Sequence, residues 1–311
     1  VRAVRDHPGL RNKAAIGVVA EVFGASDWRA GPGDDGAVVG GVSLDGGGSL
    51  VVGGEAVAPA FVAADPFGAG VAAVVANVND LAAMGAEPLA VVDTVVAGEV
   101  DARSVLEGMR EAAAWYDVPV VGGHLTRHDG PPAVSAFAVG RAERVLSVRN
   151  ARAGQRLVVA SVTEGRMRDD FPFFPCFAER AGRLAGDVRL LAAVAAAGSC
   201  VAAKDVSMAG LVGSLAMLCE PGRLGVTVDI AALPVPPGVG LAEWLVAFPC
   251  YSFLLCLPPG REEECVGAFV DRDIEAAVVG TLDGSGRIAL SAAGRTATVV
   301  DLRAESVTGL R

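Results

Sequence analysis

Apolar residues fall along this chain in dense blocks rather than in clean alternation, because alanine, valine and glycine dominate and blur both the helical and the strand period. Punctuation by glycine, proline and acidic residues therefore says more about secondary structure than propensity does. A helix is expected over about 11–23, ended by Gly24, and a strand over 36–44. The glycine turn at 46–48 leads to S-L-V-V-G-G-E at 49–55, so the two strands form a hairpin. Asp65-Pro66 opens an apolar helix reaching about Gly85, with Asp at the N-cap and Pro at the first helical position. A strand over 88–96, a helix from about Asp101 to Tyr116, and strands over 119–124 and 133–140 complete the first half.

The second half is expected to begin with a strand over 156–160 and a polar loop from Thr163 to Asp170. A helix follows near 187–197, then K-D-V-S-M-A-G at 204–210, an apolar helix, and strands over 224–230 and 251–257. Helices alternating with mixed strands point to an α+β sandwich rather than a doubly wound sheet. The Arg-rich segment 141–155 is the expected boundary, which divides the chain into domains at 1–150 and 151–311.

Composition fits that division, since 311 residues at 52% hydrophobic content can supply two cores. The formal charge of -10, with no basic run, argues against a nucleic-acid partner. It leaves room for a nucleotide if carboxylate-bound Mg²⁺ reverses the local sign. No uncharged apolar run reaches the roughly 20 residues of a membrane helix, and no secretory leader is evident, so no membrane partner is expected and a cytoplasmic location is. The six cysteines all lie in the second half without a C-x-x-C pair, and the three histidines lack metal-site spacing. Most of the cysteines read as buried small hydrophobes.

The candidate chemistry lies in acidic segments at glycine-lined ends of apolar runs. Asp34 and Asp35 stand between Gly33 and Gly36, where they suit either a turn or a hard cation. Asn77, Asn79 and Asp80 lie on an otherwise apolar helix, and Asn77 and Asp80 share a face, so an internal hydrogen-bond network or a ligand must satisfy them. Asp93, inside an apolar strand, poses the same alternative. Gly122, Gly123, His124 and Thr126 end a strand and could offer donors to phosphate, or could be structural. Lys204, Asp205 and Ser207 precede a helix and suit an anion site or an N-capping turn. Arg166, Arg168, Asp169 and Asp170 form either a solvated loop or a clamp for a phosphate or carboxylate. A P-loop and the protein-kinase signatures are absent.

In order and spacing these segments resemble the aminoimidazole ribonucleotide synthetase (PurM-like) superfamily, which includes thiamine monophosphate kinase, selenophosphate synthetase and hydrogenase maturation factors. G-D-D-G-A-V-V is similar to its early metal motif, N-V-N-D-L-A-A-M-G-A-E-P is the most specific match, and G-G-H-L-T and K-D-V-S-M-A-G fall where G-G-D-T or G-G-H-T and D-x-S-D-G lie. D-P-F-G-A-G, S-M-A-G and W-L-V-A-F-P-C-Y-S-F-L-L-C-L-P-P at 244–259 look most like the AIR synthase-related (sll0787-like) group.

The resemblance implies a PurM-like two-domain fold. Its N-terminal mixed α/β domain would dimerise into a shared β-barrel, followed by a C-terminal α/β sandwich domain, with ATP and Mg²⁺ bound near the interface of a homodimer. By motif position Asp34, Asp35 and Asp80 are the implied metal ligands, with Glu55 a further one. Asn77, Asn79, Gly122, Gly123, Thr126, Lys204, Asp205 and Ser207 would bind the nucleotide. Asp34, Asp80, His124 and Arg166 would take part in phosphorylating or activating an oxygen of a small-molecule substrate. His124 replaces the aspartate of G-G-D, and Met208 the second aspartate of D-x-S-D-G. A thiamine monophosphate kinase-like enzyme and a non-catalytic nucleotide-binding or scaffold dimer are the rival expectations.

Overall fold

The computed structural model describes residues 2–24, 33–42 and 44–310 of the chain. Its N-terminal segment is helical, with α1 (Arg2–Arg5), α2 (Pro8–Asn12), a 3-10 turn over Lys13–Ile16 and α3 (Gly17–Phe23). A five-stranded sheet then forms from β1 (Ala37–Val39), β2 (Ser49–Val57), β3 (Ala86–Ala97), β4 (Val120–Arg127) and β5 (Ala133–Ala142), in the order β1-β2-β5-β3-β4. Only β3 and β4 pair in parallel. The expected strand over 36–44 shortens to β1, because the chain turns at Gly40 and Gly41; Ser43 lies outside the described residues.

One face of this sheet is covered by α5 (Pro66–Ala83), which follows the short α4 (Pro59–Ala64), and by α6 (Glu99–Tyr116). The expected cap is present: Asp65 Oδ1 accepts from the Gly68 amide at 2.8 Å, with Pro66 behind it. α5 is apolar almost all round because it is buried all round. It crosses α6 at two glycines with backbones nearly touching; a Cβ on Gly70 would lie 2.0 Å from the Val105 carbonyl oxygen, and one on Gly108 2.1 Å from that of Phe67.

The second half contains β6 (Arg156–Ser161), β7 (Phe173–Phe174), α7 (Phe177–Arg180), α8 (Leu184–Ala196), β8 (Ala202–Asp205), α9 (Gly210–Cys219), β9 (Gly225–Asp229) and α10 (Leu241–Trp244). It continues with β10 (Phe248–Pro249), β11 (Ser252–Leu257), α11 (Glu262–Val270), β12 (Glu275–Asp283), β13 (Arg287–Ala292) and β14 (Arg295–Asp301). Seven of these strands form a sheet ordered β14-β13-β9-β12-β6-β11-β8. Along β6 and β11 alternate residues enter two different cores: Val158, Ala160, Phe253 and Leu255 join α5, α6 and α8, whereas Leu157, Val159, Leu254 and Cys256 meet α9. Burial on both faces is why these strands read as unbroken apolar runs.

Cys176 and Cys250 are joined in a disulfide, a pairing the sequence reading did not assign. Parallel pairing of β7 with β10 carries them side by side, whereas Cys200, Cys219, Cys256 and Cys265 are buried free thiols. The two ends of the chain meet. Arg5 donates to the Thr298 and Val299 carbonyls of β14 at 2.7 and 3.1 Å, and Gly17 packs against Gly309. Buried Glu220, after α9, accepts from Val307, Thr308 and the Ser306 hydroxyl and fixes that last segment. No helix among the described residues is long and apolar enough to cross a membrane.

Candidate metal and nucleotide site

Three carboxylates from three parts of the chain converge. Asp35 precedes β1, Asp80 lies on α5 and Asp205 ends β8, and one oxygen from each lies within 4.8 Å of the others. Gly33, at φ 100°, lets the backbone turn sharply into Asp34-Asp35. β8 is the edge strand of the second sheet, so its end meets the first half of the chain. Lys204 is buried between these groups, with Nζ donating to Asp205 at 2.8 Å and to Asp35, while the Asp205 amide donates to Asp35 at 3.1 Å.

The surroundings make these charges expensive. Burial, resisted by Lys204 and reinforced by Asp205, raises the Asp35 carboxyl to about 7. Burial and the fields of Asp205, Asp35 and Glu55 hold Asp80 well above the ordinary carboxylate range. Glu55, on the solvent-open end of β2, is raised by desolvation and Asp205, which places it beside the cluster. Burial opposes the charge of Lys204, but Asp205 and Asp35 outweigh it and raise its pKa. Lys13, from the 3-10 turn, is lowered by burial and by Lys204, so it too faces this site.

The polar residues of α5 divide by face. Asn77 donates to the Ala73 and Ala136 carbonyls at 2.8 and 3.1 Å, and its Oδ1 is buried without a hydrogen-bond partner. That oxygen and Asp80 flank Gly53 of β2, where a Cβ would lie 3.9 Å from each. Asn79 points elsewhere, donating to the Cys250 carbonyl at 2.9 Å, and its Oδ1 is also buried without a partner. A hard-oxygen donor set with an orphaned buried acceptor beside it fits Mg²⁺.

The remaining expected residues fall outside this group. Asp34 is turned away from the cluster, accepting from the Ser147 hydroxyl at 2.8 Å and the Val148 amide at 2.7 Å, so its carboxylate ties the β1 segment to the 3-10 turn Val148–Asn150. Of the two adjacent carboxylates only Asp35 stands in the cluster. Gly122, Gly123, His124 and Thr126 lie on β4, at the opposite edge of the sheet from β1 and about 19 Å from it at ordinary strand spacing. Asp93 lies over Gly123, where a Cβ would come within 2.5 Å of its carboxylate, and burial raises its pKa. It is not in the cluster.

Ser207 lies in the turn before α9, its amide bonded to Ser214 Oγ at 3.0 Å. Arg166 is an exposed loop side chain paired with Asp169 at 3.8 Å, and Arg168 pairs with Asp170 at 2.8 Å. Arg168 feels Asp65, which is about 22 Å along α5 from Asp80. Neither arginine pairs with a carboxylate of the cluster. Two residues of this group escaped the sequence reading in these places, Asp205 as a member of the carboxylate cluster and Lys13 as a charge near it.

Residues 33–142 match the profile of the AIR synthase related protein, N-terminal domain, and residues 177–292 that of the AIR synthase related protein, C-terminal domain. The protein sll0787 of Synechocystis sp., uncharacterized, is 33% identical over 265 residues, which cover 84% of this chain and 82% of that one. Among solved structures, T. maritima PurL complexed with ADP superposes with a TM-score of 0.75 at 19% identity, over 88% of this chain and 46% of that longer one. AaThiL complexed with AMPPCP and TMP superposes with a TM-score of 0.69 at 17% identity, over 91% and 95% of the two chains. At that identity the structural likenesses establish the fold, a PurM-like two-domain α+β architecture.

Proposed function

Because the chain belongs to the AIR synthase related protein family, we propose that it is an Mg²⁺-dependent, ATP-using enzyme that transfers phosphate to, or activates, an oxygen of a small metabolite. The convergence of Asp35, Asp80 and Asp205 carries this reading. A divalent ion held there would neutralise phosphate oxygens and align them for in-line attack. Lys204 fixes Asp35 and Asp205 in place, Asn77 and Asp80 present oxygens from α5, and Glu55 adds a carboxylate on the open side. Lys13 draws an anion towards the rim.

The reading includes a homodimer. β4 and β1 lie at opposite edges of one sheet, and the face away from the helices exposes Val92 and Phe137 side by side. A second copy seated on this face would bring its own Gly122, Gly123, His124 and Thr126 towards the carboxylates, which one chain alone does not achieve. A binding-only protein is the second reading, supported by the exposed thioether of Met208 at the position where the family motif carries an aspartate.

Calorimetric titration with a non-hydrolysable ATP analogue, with and without Mg²⁺ and alongside molar mass in solution, tests the proposal. Mg²⁺-dependent binding to a dimer is expected, lost in an Asp35→Asn, Asp80→Asn double variant. Unchanged affinity in that variant, if folded, overturns it. ADP release with an acceptor panel separates the enzyme from the binding-only protein.

A further inference from the structure

Lysine is nearly absent from this chain. Of its 26 Lys and Arg residues only two, Lys13 and Lys204, are lysines, and both stand at the carboxylate cluster. Elsewhere the chain uses arginine, including for its most buried cation, Arg180. The distinction is chemical: an ammonium is a compact point charge with donors in three directions, whereas a guanidinium is a flat fork. A compact charge can occupy the space of a hard cation among carboxylates.

Lys204 occupies that space. Its side chain is 3% exposed, and Nζ bridges Asp35 and Asp205, two of the three carboxylates that could hold a metal. Asp80 makes no hydrogen bond or ion pair with Lys204, and the orphaned Asn77 Oδ1 lies beside it. Lys204 thus meets two of the three convergent carboxylates and leaves Asp80, the third, without an ammonium bonded to it among the described residues, which is room for one divalent ion.

We propose that Lys204 is the resident counter-ion of this site, standing in for one divalent cation, so that the protein loads nucleotide with a single Mg²⁺-class ion rather than with two or more. The inference rests on the nucleotide reading above. The lysine is covalently part of the strand, so its share of the neutralisation survives chelation. The residual demand is for one ion on the Asp80 side.

Equilibrium dialysis of the full chain against Mn²⁺ and a radiolabelled non-hydrolysable ATP analogue counts both ligands together. One Mn²⁺ per bound nucleotide is expected for the natural protein. Lys204→Met is expected to take up a second ion, and its melting temperature, lowered in EDTA, should rise with Mn²⁺ more than that of the natural protein. Two or more ions per nucleotide in the natural protein overturn the inference and leave the nucleotide reading intact. A ratio still at one in folded Lys204→Met also overturns it. No bound nucleotide in the natural protein removes both readings. If Lys204→Met does not fold, the ratio in the natural protein decides alone.

Discussion

Lys204 and Asp35, separated by 169 positions in the sequence, form a buried ion pair that joins the two halves of the protein at the carboxylate cluster. The pair is positioned by the edge strand β8 on one side and by the turn into β1 on the other. The site is therefore a product of how the two sheets meet, not of either one.

Its pH dependence follows from Asp35. An acid whose folded pKa lies above its unfolded value stabilises the fold fully below the unfolded value, here 3.8, and loses that contribution as pH rises to about 7. Asp80 and Glu55 are shifted in the same direction. In EDTA the cluster should lower stability as pH climbs through this window. Mg²⁺ should restore it, most strongly at the upper end where the ligands are deprotonated. Urea midpoints at about pH 5 and about pH 8, with and without Mg²⁺, measure this; an Mg²⁺ increment equal at both pH values contradicts it.

The two lysines should differ in reactivity. Lys13 is partly exposed with its pKa lowered, whereas Lys204 is buried, ion-paired and raised. Brief acylation near neutral pH, read by peptide mass spectrometry, should modify Lys13 and spare Lys204, and Mg²⁺ with a nucleotide analogue should protect Lys13. Equal labelling of both would show that the cluster is open to solvent.

The glycine crossing of α5 and α6 is a packing requirement. Gly70→Ala or Gly108→Ala should cost about 2–3 kcal/mol, because each methyl would meet backbone that can yield only by separating the helices. Gly267, in α11, has nothing within 4 Å of its Cβ position, and Gly267→Ala should stabilise by up to about 1 kcal/mol. Denaturant unfolding distinguishes the two outcomes by sign.

Asp187 is the buried anion between Arg180 and Arg272, at 2.7 Å from a terminal guanidinium nitrogen of each. Asp187→Asn should cost about 3–5 kcal/mol, since it leaves the fully buried Arg180 without its buried counter-charge. Disrupting the exposed Arg287–Asp301 pair should change stability by under about 1 kcal/mol. Similar effects in the two variants would deny the buried cluster its structural role.

The sequence made the Asp65-Pro66 helix legible through its cap and its apolar length, and the same helix carries Asn77 and Asp80 to the site. It did not distinguish Asp34 from Asp35, because adjacent carboxylates in a turn diverge according to partners, here Ser147 and Val148, more than 100 positions away. In sequence Asp205 suits an anion site or an N-capping turn before a helix; its place among the carboxylates depends on β8, which β11 orients. Lys13 gave no local signal, since its role depends on where the N-terminal segment docks. Strands β12 to β14 and helix α11 were not anticipated, although D-G-S-G at 283–286 offered a turn between β12 and β13. The Cys176–Cys250 bond depended on β7 and β10, each too short to recognise by periodicity.

The contact of Arg5 with the β14 carbonyls, and of Gly17 with Gly309, means that the turn carrying Lys13 is held between contacts with residues nearly 300 positions away. The last hairpin contributes no acidic ligand to the cluster, yet through Arg5 it holds the segment that carries Lys13. A substitution in that hairpin therefore reaches Lys13 through the N-terminal segment while leaving every carboxylate in place.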